Sequence, residues 1–235
     1  MGRAFEYRRA AKEKRWGKMS RVFPKLSRAI TFAAKQGGPN PELNPMLRMA
    51  IQNAKAENMP KENIEAAIKR ATAKDEKNLE EVVYEGYGPH GVALMIECTT
   101  DNPTRTVANL RSYLTRAGGS LGKSGSVDYL FSRRGVFRIP AVGNPEDLEL
   151  ELIDFGLEEL IVEDEEFVLL TLFESFGEMQ KGLESKGIET IKADVQRFPN
   201  AYTELSDKQK EDVFQLLDKI EDDDDVQAVY HTMAE

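Results

Sequence analysis

From Lys18 to Lys35, Phe23, Leu26, Ile30 and Ala33 return at steps of three or four, which predicts an amphipathic helix with one buried face. The run QGGPNPELNP, Gln36 to Pro45, breaks it with two glycines and three prolines. A second helix follows through Leu47, Ile51 and Ala54. Pro60 opens a third through Ile64, Ala67 and Ile68, since proline suits a first helical turn. Ala73–Glu80 is polar and reads as a linker. Beyond it the period changes. Val82–Gly88 and Val92–Thr99 read as strands around a turn marked by Gly88, Pro89 and Gly91. Pro103 starts a helix through Val107, Leu110 and Leu114 that Gly118 and Gly119 end, and Ser126–Phe131 reads as a further strand.

A compact series comes next: strand Gly135–Ile139, helix Pro145–Phe155, strands near Leu160 and at Phe167–Phe173, helix Phe176–Lys186 and strand Ile188–Phe198. That order, βαββαβ, is the ferredoxin-like split unit. The middle region lacks a second helix and a last strand, and the closing helix Asp207–Ile220 and strand Val226–Tyr230 can supply them. The predicted class is therefore α+β and multidomain. Residues 1–78 form a basic helical domain, 79–133 plus 204–235 a discontinuous ferredoxin-like α+β domain, and 134–203 a second one inserted into it.

Composition narrows the class. Hydrophobic residues make up 40% and charged ones 31%, an ordinary globular balance. No apolar run approaches the ~18–20 residues of a membrane helix, so no membrane partner is expected. The opening MGRAFEYRRAAKEKRWGK has neither the apolar stretch nor the small-residue cleavage site of a secretory leader. A single cysteine, Cys98, fits a reducing cytoplasm.

The formal net charge of −9 hides a segregation. Residues 1–70 hold 16 Lys/Arg against 6 Asp/Glu, residues 71–135 hold 8 of each, and residues 136–235 hold 8 against 27. A basic arm that meets a polyanion and an acidic body that does not would be built this way. Because salt screens charge over roughly 8 Å, a phosphate beside the N-terminal domain feels the local cations far more than the distant acids.

Candidate chemistry is sparse. His90 lies in a glycine- and proline-rich turn and His231 close to the last residue, and no HExxH or CxxC spacing occurs. Cys98, in an apolar strand, reads as a small buried hydrophobe. Gly122-Lys123-Ser124 imitates the end of a phosphate-binding loop, but Ala117 stands where the first glycine belongs, and the segment leaves a helix and enters a strand. The acidic run Glu221–Asp225 lacks the alternate spacing and the glycine of a calcium loop and reads as a solvated helix terminus. No catalytic residue, metal or cofactor is assigned, and the chain is expected not to be an enzyme.

The basic end is richer. Arg8, Arg9, Lys12, Lys14, Arg15 and Lys18 crowd the opening, with Phe5, Tyr7 and Trp16 among them. If helical, Arg8, Lys12 and Arg15 form one stripe. Lys18, Arg21, Lys25 and Arg28 fall within about 80° of arc, opposite the apolar set of their helix. Arg forks and Lys ammonium groups bind phosphate oxygens, and aromatic faces can stack on unpaired bases. These nine cations are the candidate nucleic-acid contacts.

Three strings carry a resemblance: NPMLRMAIQNAKAENMPKENIEAAIKRA (Asn44 to Ala71), YEGYGPHGVALMIECTTDNPTRTVANLRSYLTRAGGSLGKSGSVDYLF (Tyr84 to Phe131) and the closing LLDKIEDDDDVQAVYH. They resemble the YebC family over almost the whole chain. The opening departs from the family's usual segment, roughly HSKWANIKHRKAA, although Arg8–Ala11 keeps its core. The resemblance implies a helical N-terminal domain followed by two α+β domains, the first of them discontinuous. It also implies a DNA-binding transcriptional regulator. Other members resemble ribosome-associated factors that help synthesis through proline-rich stretches, so ribosomal RNA is the alternative partner. An adaptor meeting proteins through its acidic sheets is a third reading. Nothing in the residue pattern demands a particular oligomeric state.

Overall fold

The computed structural model describes residues 19–73 and 78–234. Three helices open it: α1 (Met19–Gly37), α2 (Pro45–Ala56) and α3 (Lys61–Ala71). Their shared core is Ile30, Ala33 and Ala34 against Leu47, Ala54, Met59, Ile64 and Ala67, with Phe23, Leu26, Ile51 and Ile68 at its edge. Two buried polar side chains fix the angles. The Thr31 hydroxyl bonds the carbonyls of Ser27 and Ala67, joining α1 to α3. The Asn44 amide donates to the carbonyls of Ala33 and Gly38, while its oxygen accepts the Leu47 N–H and so caps α2. A Cβ at Gly37 would come within 2.6 Å of the Asn44 side chain, so this staple requires glycine there.

An antiparallel sheet follows, built from β1 (Glu80–Tyr87), β2 (Ala93–Thr100), β3 (Ser120–Leu121) and β8 (Val226–His231) in the order β3-β1-β2-β8. Two helices, α4 (Pro103–Arg116) and α7 (Asp207–Glu221), cover one face. Leu94, Ile96 and Cys98 of β2 meet Leu110, Leu114, Val213, Leu216, Leu217 and Ile220 there. The alternate residues Ala93 and Met95 pack on the other face with Val127, Phe131 and Tyr230. Burial of β2 on both faces accounts for its nearly continuous apolar run.

Between β3 and β8 the chain makes a second antiparallel sheet from β4 (Phe131–Pro140), β5 (Leu157–Val162), β6 (Glu166–Leu172) and β7 (Lys192–Pro199), in the order β5-β6-β4-β7. Helices α5 (Pro145–Leu152) and α6 (Phe176–Ser185) lie on one side, over Phe137, Ile139, Phe167 and Leu169. The class is thus α+β, with a helical region and two four-stranded antiparallel sheets. Helices α2, α4 and α5 all open on Asn-Pro. Asn44, Asn102 and Asn144 accept N–H groups of the first turn, and the following proline fills a position whose N–H needs no partner.

Three expectations shift. Ser126–Phe131 is not a strand: the segment is a loop with a 3-10 turn at Asp128–Leu130, and the strand begins at Phe131. The N–H groups of Gly125, Val127 and Asp128 are spent on the Glu85 carboxylate, which leaves none of these donors for a ladder. The helix expected to reach Phe155 ends at Leu152 and tightens into a 3-10 turn that Gly156 closes at φ 84°. The last strand of the second sheet starts at Lys192, four residues later than the apolar pattern suggested.

Candidate nucleic-acid interface

Arg8, Arg9, Lys12, Lys14, Arg15 and Lys18 lie outside the described residues. Arg21 stands in the first turn of α1. Lys25 and Arg28 are half-buried and turn toward the first sheet rather than toward open water. Lys25 is close enough for its charge to act on the Cys98 thiol of β2. Arg28 donates through Nη1 to the Thr99 carbonyl at 2.9 Å and to Asp225 Oδ1 at 2.6 Å. Lys25 and Arg28 face away from their own helical core, as their spacing requires, but a neighbouring domain occupies that side.

Other cations of the helical domain do reach solvent. Arg48 and Lys55, seven residues apart on α2, share one exposed side, and Lys61, Lys69 and Arg70 are exposed on α3. None of the five was singled out from the sequence. The i, i+7 spacing of Arg48 and Lys55 on a polar face was the available signal.

Arg28 meets Asp225 in a cup of donors. Arg105 Nη2 reaches the carboxylate at 2.7 and 3.0 Å, the Thr106 hydroxyl at 2.7 Å and the Thr100 hydroxyl at 3.1 Å. Asp225 is only 2% exposed. Burial pushes its carboxyl up, but Arg105, Thr106, Thr100 and Arg28 together outweigh burial and hold its pKa below the ordinary aspartate value. The expectation of a solvated acidic terminus is therefore corrected at this residue. Asp223 is also engaged, accepting from Asn109 and Tyr113 at 3.0 and 3.1 Å. Beside the cup a cleft of about 1020 Å³ separates α1 and α3 from α4 and the acidic turn. Phe23, Ser27, Met59 and Arg70 line one wall, and Arg105, Asn109 and Asp222–Asp225 line the other.

The loop that imitates a phosphate cradle already holds an anion of its own. Glu85, 6% exposed, accepts N–H bonds from Gly125, Val127 and Asp128 at 2.6, 2.7 and 3.1 Å. Burial raises its pKa, yet these three donors and the nearby Arg197 bring it below the ordinary glutamate value. Backbone amides that would meet a phosphate are filled from within. Cys98 is inert for a different reason. Burial first, then Asp223 and Asp225, push its thiol up to about 12. No described helix is long and apolar enough to cross a membrane.

Residues 79–233 match the family model described as TACO1/YebC second and third domain, and residues 3–74 match TACO1/YebC protein N-terminal domain. The chain belongs to the TACO1/YebC family. Relatives named "probable transcriptional regulatory protein" include one from Cytophaga hutchinsonii, 55% identical over all of this chain and 99% of its own length. Another, from Wolinella succinogenes, is 55% identical over the whole of both chains. A crystal structure of a conserved hypothetical protein from Aquifex aeolicus shares 40% identity and superposes with a TM-score of 0.78, covering 93% of this YebC-family chain and 91% of that one.

Proposed function

We propose that this YebC-family protein is a non-catalytic, cytoplasmic regulator of gene expression that binds DNA through phosphate contacts from its helical domain. The observation that carries the proposal is charge segregation: the first 70 residues hold a net +10 and the last 100 a net −19. Among the described residues Arg48, Lys55, Lys61, Lys69 and Arg70 present part of that charge to solvent. Residues 1–18, with seven Lys/Arg and two Asp/Glu, supply half of the excess. The names of the Cytophaga and Wolinella relatives support a regulatory role.

Phosphate contacts position a protein without reading sequence, so salt dependence is the direct test. With four to six cations on phosphate, log affinity for a 30-base-pair duplex falls against log salt with a slope of about −4 to −5. That is a loss of several-hundred-fold between roughly 50 and 200 mM. A slope near zero overturns the proposal. Tighter binding to a ribosomal RNA hairpin than to duplex DNA, together with cosedimentation with ribosomes, moves the target from DNA to the ribosome.

A further inference from the structure

The helical domain is fastened to its neighbours at two places of different chemistry, one mostly neutral and one built on a single guanidinium–carboxylate pair. On one side α2 docks on β7. The Asn53 side chain accepts the Ala193 N–H at 3.0 Å and donates to the Ala193 carbonyl at 2.7 Å, Gln52 donates to Thr190 O, Met49 packs against the core of the second sheet, and Lys192 of β7 donates to Glu57 at the end of α2 at 2.6 Å. On the other side Arg28 of α1 reaches across to Asp225 and Thr99. This second fastening borders the 1020 Å³ cleft. Ser27, 8% exposed and part of the cleft wall, has a buried Oγ with no hydrogen-bond partner among the described residues. The Arg28 side chain keeps 24% of its surface in solvent, so an anion in the cleft can touch it. Arg70 stands exposed on the same wall.

Asp225 does not depend on Arg28. Arg105, Thr100 and Thr106, all from its own domain, remain around it when the helical domain withdraws. Arg28 has no such reserve, because its partners among the described residues, Asp225 and the Thr99 carbonyl, both belong to the other side. We infer that Asp225 is a built-in stand-in for phosphate that keeps the basic helical domain latched, and that nucleic-acid phosphate releases the latch by taking Arg28. The inference rests on the nucleic-acid reading above and adds its regulation. Binding then includes the work of opening, and the apparent affinity is reduced by the fraction of molecules that stand open. The α2–β7 contact serves as the hinge side because its amide bonds and apolar packing do not compete with polyanions and remain when its one ion pair, Lys192–Glu57, is challenged.

The test uses the full chain with Cys98→Ala and spin labels at Gln36→Cys on α1 and Thr115→Cys on α4, both exposed positions. Pulsed dipolar distances are measured with and without a 30-base-pair duplex in low salt. The distance is expected to lengthen when duplex saturates the protein, and to be long already in Arg28→Gln without duplex. Asp225→Asn, which removes the charge and keeps an acceptor for the two threonines, is expected to bind duplex about tenfold more tightly. Arg28→Gln is expected not to share that gain, because it removes a phosphate ligand along with the latch. Should Asp225→Asn fail to fold, the Arg28→Gln distance carries the test. An unchanged distance in the saturated wild type overturns the latch and leaves the nucleic-acid reading standing. No duplex binding at any salt overturns that reading, and the phosphate trigger with it.

Discussion

Glu85 and Asp225 present one physical problem solved twice. Each is a carboxylate almost wholly removed from water, and each is kept ionised by a set of donors that outweighs the cost of burial. Around Glu85 the hydrogen-bond donors are three backbone N–H groups of a single loop, so the charge chiefly organises that loop, with Arg197 of β7 adding only the attraction of a nearby charge. Around Asp225 they are side chains from α1, β2 and α4, so the same charge couples separate units. Backbone donors belong to one segment and make a rigid local knot. Side-chain donors can be recruited from afar, and can also be lost one at a time.

The largest effect that tests this contrast is Glu85→Ala. It removes the acceptor of three amides, of which the Val127 N–H is buried, and is expected to lower stability by about 2–3 kcal/mol, read by urea unfolding. A loss under about 1 kcal/mol would mean that water replaces the carboxylate and the knot is not rigid. Arg28→Gln should cost less, about 1 kcal/mol of global stability, because Arg28 is partly solvated and Asp225 keeps its other donors. If it matches Glu85→Ala, the two carboxylates are not different in kind.

Acid should remove both. Each folded-state pKa is depressed, so its contribution is fully present above the unfolded value, near 3.9–4.3, and is lost as pH falls through the folded value. Stability is expected to be level from about pH 7 to 5 as far as these two groups decide it, and to fall below about pH 4. In Asp225→Asn the part of that fall due to Asp225 disappears. The smallest effect concerns Cys98, whose thiol is buried and pushed up to about 12. At pH 8 it should react with an aromatic disulfide only as fast as the surrounding sheet opens, and labelling faster than unfolding would show local access.

Periodicity carried the fold a long way. Phe23, Leu26, Ile30 and Ala33 marked the buried face of α1, and the βαββαβ order marked the second sheet, because both depend on neighbours close in sequence. The stretch Ser126–Phe131 misled, since its amides answer to Glu85, about forty residues upstream. Asp225 was hidden in a run of like charges, where partners about 120 to 197 residues away, Arg105, Thr106, Thr100 and Arg28, distinguish it from its neighbours. The cations of α1 were legible as a stripe, but what covers Lys25 and Arg28 depends on how domains meet, which spacing along one helix does not encode. Arg48 and Lys55 were legible in the same terms and were eclipsed by the denser cluster before them.

The Asn53 amide has a consequence for solubility. By bonding both the N–H and the C=O of Ala193, it imitates one residue of an additional strand and terminates the hydrogen-bonding pattern along the outer margin of β7. An unprotected margin there would offer every copy of the protein a template for polymerisation through main-chain pairing. One asparagine on a helix therefore helps keep the sheet finite.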